Sequence, residues 1–352
     1  MPAENSLGVA DRGRSPALHG RRGVGRAHAK AILFGEHAVV YGAPALAIPV
    51  PQLTVTATAT RVPAPDGDPD RISFAIAGPG TPSVAPLASD GLQHLVTEFR
   101  ARTALRGPMC AEVLLDCTIP PGRGLGSSAA CARAGVLALA DVFDRRLDAR
   151  AVFDLVQASE TVVHGRASGI DAFATGATAP LFFQAGTGRE LPVAMGVRGT
   201  PGADGSGFAG LFVIADSGTG ASTKDAVEML RRRFARDPRT QQAFVRQVTS
   251  LTEAALDDLG HGRTGEFGAR LTENHELLRD VGISTDRIDA LVEAALAAGS
   301  GGAKISGGGL GGCMLAFAED PGRAGTVARR LREVGAVHTW VVPVGRYAGH
   351  AE

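Results

Sequence analysis

The residues Pro120-Pro121-Gly122-Arg123-Gly124-Leu125-Gly126-Ser127-Ser128 run directly into an Ala/Leu-rich stretch, Ala129–Phe143. A phosphate group needs several N–H donors converging from one side. A glycine-rich turn at a helix N-terminus supplies them, and the helix dipole adds a favourable field. Gly122, Gly124 and Gly126 remove side chains that would block approach. Ser127 and Ser128 add hydroxyls, either of which suits a cation held by phosphates, while Ser127 equally suits a helix cap. No Gly-Lys-Ser/Thr follows, so this is not a Walker A loop. Nor does Gly-Arg-Gly-Leu-Gly fit the dinucleotide fingerprint. The segment Pro121–Ser128 is therefore expected to hold phosphates in another loop geometry.

Transfer of a phosphoryl group to an alcohol also requires a group that positions the hydroxyl, one that takes its proton, and positive charge on the phosphates. Asp171 lies in a loop of small residues, Gly165-Arg166-Ala167-Ser168-Gly169-Ile170-Asp171. Glu160 lies eleven residues earlier, late in a helical stretch. Taken singly, such an Asp is as good a turn former, and such a Glu a solvated helix-end carboxylate. Lys30 at the start of an apolar strand is more unusual, because a buried lysine is rare without a partner. Glu36 and His37 follow in the next loop, where His37 could equally be a satisfied loop histidine.

These residues require elements to carry them. Ala29–Phe34, Ala45–Ala59, Arg71–Ile76, Ala111–Ile119 and Leu181–Gln184 read as strands from their alternation or apolar runs. Leu87–Leu105, Ala129–Phe143 and Asp148–Val163 read as helices, and Gly165–Gly176 as a loop. Beyond a Gly/Pro-rich stretch at 196–207 come a strand at Leu211–Ala215 and three or four helices between Thr223 and Ala298. A short strand, Ala303–Ser306, leads into Gly307-Gly308-Gly309-Leu310-Gly311-Gly312. Cys313–Ala318, Arg323–Val334 and His338–Val344 read as strand, helix and strand. Strands and helices mix without regular β-α-β alternation, which gives an α+β class with its domain boundary at 196–207.

Composition narrows the function. The 36 basic and 36 acidic residues cancel, so there is no global pull toward nucleic acid or a membrane surface, and neither is expected as a partner. No run of about 18 apolar residues suggests a membrane span. Residues 1–25 contain Arg12, Arg14, Arg21 and Arg22 without an apolar core, so they read as a disordered leader and not a secretory signal. The four cysteines make no Cys-x-x-Cys pair and fit a reducing, cytoplasmic compartment.

Three segments in order resemble the GHMP kinase superfamily: Lys30-Ala31-Ile32-Leu33-Phe34-Gly35-Glu36-His37-Ala38-Val39-Val40-Tyr41-Gly42, the Pro120–Ala130 loop, and Lys304-Ile305-Ser306-Gly307-Gly308-Gly309-Leu310-Gly311-Gly312-Cys313. The likeness spans about residues 26 to 345. It implies a two-lobed fold: an ATP-binding N-terminal lobe like ribosomal protein S5 over 26–195, and a ferredoxin-like C-terminal lobe over 206–346. By resemblance Pro121, Gly122, Arg123, Gly124, Leu125, Gly126, Ser127 and Ser128 would bind ATP, Ser128 and Glu160 would ligate Mg²⁺, and Asp171 would accept the proton. Lys30 would stand beside Asp171 and stabilise developing charge, with Glu36, His37 and Ser168 on the substrate.

Mevalonate is the alcohol the resemblance favours, within isoprenoid biosynthesis, since Ala38-Val39-Val40-Tyr41 suits a branched aliphatic acid better than a sugar. Phosphomevalonate kinase, galactokinase or a non-catalytic sensor are the alternatives, and a homodimer is a common assembly in the family. Arg166, Arg123 and Lys224 all remain candidates for the substrate carboxylate. Three positions depart from the family pattern: Leu310 within the glycine run, where it could narrow the loop, Ser306 where threonine is common, and Arg123 where a small residue is frequent.

Overall fold

The structure, a computed structural model, describes residues 20–64, 70–78, 81–165, 167–191, 208, 210–220 and 223–344. Both the outer part of the expected leader and the expected boundary at 196–207 lie outside the described residues.

The N-terminal half is built on a seven-stranded sheet. Strands β1 (Arg22–Phe34), β2 (Ala45–Arg61), β3 (Asp70–Gly78), β4 (Thr81–Pro86), β5 (Met109–Cys117), β6 (Leu181–Gln184) and β7 (Thr187–Glu190) form it in the order β4-β3-β5-β2-β6-β7, with β1 also paired to β2. The pairings are antiparallel except that of β3 with β5. Helices α1 (Asp90–Thr103), α2 (Ser127–Val142), α3 (Ala149–His164) and the short α4 (Ile170–Ala174) pack with it. Alternation drives β5, whose residues are buried and exposed in turn from Ala111 to Cys117. Helix α2 is buried on nearly every side, as its uniformly apolar sequence requires.

The second half is a four-stranded antiparallel sheet, β11-β8-β10-β9, from β8 (Leu211–Asp216), β9 (Gly302–Ser306), β10 (Cys313–Ala318) and β11 (His338–Pro343). With it go α5 (Thr223–Arg236), α6 (Pro238–His261), α7 (Thr264–Asp280), α8 (Asp286–Ala297) and α9 (Pro321–Glu333). The α+β class holds. The apolar core is continuous between the halves: Phe34 of β1 meets Phe267 of α7 edge-on at 5.5 Å, and Phe267 meets Phe208 at 5.0 Å.

Four elements differ from the sequence reading. β4 carries two prolines and lies at the sheet edge, where missing N–H donors are tolerated. β7 is polar and mostly exposed, so no burial pattern marks it. The stretch 165–176 contains α4, entered through Gly169 at φ 99°. Strand β1 starts at Arg22, seven residues before the expected Ala29. Its entry strand packs backbone to backbone on α2: a Cβ on Gly25 would fall 2.1 Å from the Ala134 carbonyl oxygen. Gly25→Ala is thus expected to cost about 3 kcal/mol in urea unfolding, and an unchanged midpoint would show that β1 and α2 do not pack backbone to backbone at this position.

Candidate active site

Lys30 points inward from β1 and is 2% exposed. Its Nζ lies 3.0 Å from Asp171 Oδ1 and donates to the Gly124 carbonyl at 3.0 Å. A buried ammonium needs such partners. The two contacts join three elements: β1, the glycine loop before α2, and α4. The loop is shaped by positive φ at Gly122 (67°), Gly124 (75°) and Gly126 (76°), a conformation that L side chains rarely adopt. At Gly126 a Cβ would also come 3.1 Å from the Lys30 side chain. Gly126 itself precedes the first turn of α2, with no side-chain cap. Ser127 is the first helical residue, which removes its capping alternative. The opening N–H groups of α2 have no acceptor within the helix, and Gly126, Ser127 and Ser128 at its head line a cavity of about 280 Å³.

Asp171, with its side chain 31% exposed, stands on the cavity wall with Lys30, Ser127, Ser128, Glu160 and Ser168. Glu160, on α3, is nearly fully buried. His164, one turn on, is 3.5 Å from Glu160 Oε2 and 3.5 Å from Ser128 Oγ. The hydrogen bond to Glu160 raises the His164 pKa despite partial burial. Among the described residues Glu160 Oε1 has no hydrogen-bond partner although it is buried. An orphaned carboxylate oxygen costs free energy unless a ligand meets it, and on a cavity lined by Ser128 as well its chemistry fits a hard divalent cation. No larger His/Cys/Asp/Glu cluster of metal-binding type occurs among the described residues. Two protein oxygens suit Mg²⁺, which keeps water and phosphate oxygens in its remaining positions.

Glu36 and His37 line the same cavity from the other side. Glu36 forms a buried ion pair with Lys304 of β9. Burial pushes the Glu36 carboxyl up and the Lys304 ammonium down, each toward its neutral form, and their contact opposes both shifts. Glu36 Oε2 and His37 Nε2 have no hydrogen-bond partner among the described residues. Val39 and Val40 make that wall apolar. Ser306 accepts from the Ile32 N–H at 3.1 Å and donates to the Ile32 carbonyl at 3.0 Å, tying β9 to β1. Gly124 meets the second glycine run so closely that a Cβ there would lie 3.0 Å from the Ser306 oxygen.

The structure thus gathers Lys30, Glu36, His37, Gly122, Gly124, Gly126, Ser127, Ser128, Glu160, Ser168 and Asp171 around one cavity. Three loop residues point elsewhere. Leu125 is buried in the core, and Pro121 lines a neighbouring pocket. Arg123 turns to Asp216 of β8, at 3.0 Å, and to the Gly218 carbonyl. Of the candidate carboxylate partners, Arg123 is therefore engaged between the lobes, Lys224 is exposed on the first turn of α5, and Arg166 lies outside the described residues. Leu310 takes φ 57° and hydrogen-bonds through its N–H to Ile283; it does not line the cavity.

Sequence reading missed Lys304, His164, Gln157 and Thr223, all on this cavity or bonded to it. Lys304 carried the same signal as Lys30, a cation inside an apolar strand. Gln157 and His164 lie one turn before and after Glu160, on its helix face. The neighbouring pocket, about 260 Å³, shares Ser127 and Ser128 with the first and is lined by Ile76, Leu87, Leu92 and Ile119.

Comparison with known proteins gives two family matches: GHMP kinases N terminal domain over residues 92–177 and GHMP kinases C terminal over 255–337. A mevalonate kinase of Pyrococcus abyssi is 30% identical over 330 residues, covering 88% of this chain and 92% of that protein. The crystal structure of L. major mevalonate kinase in complex with R-mevalonate superposes with a TM-score of 0.75 at 22% identity, covering 95% of this chain and 99% of that one. Mevalonate kinase from methicillin-resistant Staphylococcus aureus gives 0.65 at 26% identity, with 92% and 99% covered.

His37 supplies a pH signature of this site. Burial pushes its pKa from 6.5 down to about 4. Below pH 6.5 the unfolded chain takes up a proton that the fold refuses, so stability is lost as pH falls from 6.5 toward 4. The loss from this residue is about 3 kcal/mol. In urea titrations across that window, His37→Gln is expected to lose stability less steeply than the wild type. Parallel profiles for the two proteins would contradict a buried neutral His37.

Proposed function

The chain belongs to the GHMP kinases and groups within them with the mevalonate kinases, and from that premise we propose that it transfers the γ-phosphoryl group of ATP to the C5 hydroxyl of mevalonate. The observation that carries the mechanism is the Lys30–Asp171 pair at 3.0 Å, set beside a glycine turn at the head of α2. The opening amides of α2 and the glycine loop bind the phosphates. The apolar pocket next to Ser127 and Ser128 takes the nucleoside, which leaves the γ-phosphate directed into the cavity that Asp171 shares. Val39 and Val40 face the branched aliphatic part of the substrate, and Glu36, His37 and Ser168 provide polar groups for its oxygens.

Asp171 is oriented by Lys30 and accepts the proton of the attacking hydroxyl as the oxygen closes on phosphorus. Lys30 remains in place and offsets negative charge on the transferring group at no cost of reorganisation. Ser128 and Glu160 would hold Mg²⁺, whose bound charge would neutralise the phosphate oxygens. The reading carries with it an N-terminal ATP-binding domain over 26–195 and a C-terminal domain over 206–346, supported by the order of the two family matches. It also places the enzyme in the cytoplasm. All four cysteines are free, as a reducing compartment favours, and no helix among the described residues is long and apolar enough to cross a membrane.

An ATP-consumption assay against mevalonate, phosphomevalonate and galactose tests the substrate. Turnover is expected with mevalonate, and turnover with only one of the others would overturn the assignment. Asp171→Asn should retain binding of an ATP analogue while kcat falls by about 10²–10⁴. A variant with full kcat would remove Asp171 from the role of base.

A further inference from the structure

The turn Gly122–Gly126 carries two side chains beyond its glycines. Leu125 is buried in the apolar core, and Arg123 reaches across to the C-terminal sheet. Arg123 Nε lies 3.0 Å from Asp216 Oδ1, and its Nη2 donates to the Gly218 carbonyl at 3.1 Å. The Arg123 carbonyl accepts from the Cys313 N–H at 3.2 Å. Asp216 and Cys313 stand opposite each other in the β8–β10 pairing, so two adjoining strand ends hold one residue of the turn, by side chain and by backbone. The segment after β8 closes on the same place. A Cβ on Gly220 would lie 2.4 Å from the Gly122 carbonyl oxygen and 2.5 Å from Arg123 Nη1. Arg123 lines neither cavity. Its charge is spent on Asp216, whose side chain is 4% exposed.

Such a turn needs anchors, because glycine loses more conformational freedom on ordering than any other residue. Lys30 holds the later part: its backbone N–H donates to the Leu125 carbonyl and its Nζ to the Gly124 carbonyl, each at 3.0 Å. The earlier part is left to the other lobe. Across a trans peptide the carbonyl and the following N–H point in opposite directions. Holding the Arg123 carbonyl therefore also fixes the Gly124 N–H, in a residue that lines the cavity. We propose that Arg123 is a positioning residue for the nucleotide: through Asp216 the C-terminal lobe holds the glycine turn in the conformation that takes the phosphates. Affinity for ATP then depends on an ion pair that ATP never touches. This rests on the phosphate-binding role of the turn given under Proposed function. A cation that served only to neutralise Asp216 would leave nucleotide affinity unchanged when removed from a protein that still folds. A cation held in reserve as a phosphate ligand would be set free, and affinity raised, when Asp216 loses its charge.

Calorimetric binding of a non-hydrolysable ATP analogue to the full chain separates these cases, with amide hydrogen exchange of the turn followed in the free protein. Arg123→Ala and Asp216→Asn are each expected to weaken the analogue, by about tenfold for the first. The double variant should be no weaker than Arg123→Ala alone, as residues acting through one contact require. Exchange at the turn amides should quicken in both single variants before any analogue is added. Arg270→Gln breaks another partly buried ion pair, with Asp258, away from both cavities, and should leave affinity unchanged. Unchanged affinity in Arg123→Ala, tighter binding in Asp216→Asn, additive losses in the double variant, or an equal loss in Arg270→Gln would overturn the proposal. Should Arg123→Ala fail to fold, Asp216→Asn decides, since it leaves the Gly218 N–H an acceptor. Should the wild type bind no analogue at all, the nucleotide reading fails on its own, and the exchange rates still decide whether Arg123 holds the turn.

Discussion

A lysine ammonium cannot be buried without partners, and Lys30 has found two that belong to different parts of the chain. Its contacts with the Gly124 carbonyl and the Asp171 carboxylate fix the distance between the phosphate-binding turn and the carboxylate that faces it. Moving either partner would leave a buried charge unsatisfied, at a cost of several kcal/mol. The requirement reaches outward into the sequence. Gly126 must lack a Cβ because Lys30 passes beside it, and Gly169 must reach φ 99° so that α4 can begin and present Asp171. Catalytic geometry and local folding are thus one constraint.

The far wall of the cavity obeys a similar rule. Glu36 leaves β1 through a loop and meets Lys304 from β9, so a second buried cation is neutralised by a carboxylate from the other lobe. The Ser306 hydroxyl bridges both backbone groups of Ile32, and Arg123 crosses to Asp216. Together with the phenylalanine cluster around Phe267, these contacts set one lobe firmly against the other. Polar groups held this way need little rearrangement when charge develops in a reaction, which is where such sites gain their effect.

Much of this was legible in the residues. The glycine loop is local chemistry: a run of positive-φ positions feeding an apolar helix can be read from composition and order alone. Lys30 was visible because a cation in an apolar strand calls for a partner, and Asp171 and Glu160 became meaningful through the family resemblance. What stayed hidden depends on contacts distant in sequence. Nothing near Glu36 announces Lys304, 268 residues away, and nothing near Arg123 announces that Asp216 of the other lobe holds it. β4 and β7 were missed because edge and surface strands carry no burial pattern. The short helix α4 was missed because five residues following the small residues Ala167, Ser168 and Gly169 look like loop until the φ of that glycine is known.

The most direct measurement is a crystal structure with a non-hydrolysable ATP analogue, Mg²⁺ and mevalonate bound together. The C5 oxygen of mevalonate is expected about 2.6–3.2 Å from the Asp171 carboxylate, in line with the γ-phosphate, with Lys30 still touching Asp171. A complex in which the analogue's phosphates leave the α2 amides empty, or in which that oxygen is held by another group while Asp171 faces solvent, would contradict it.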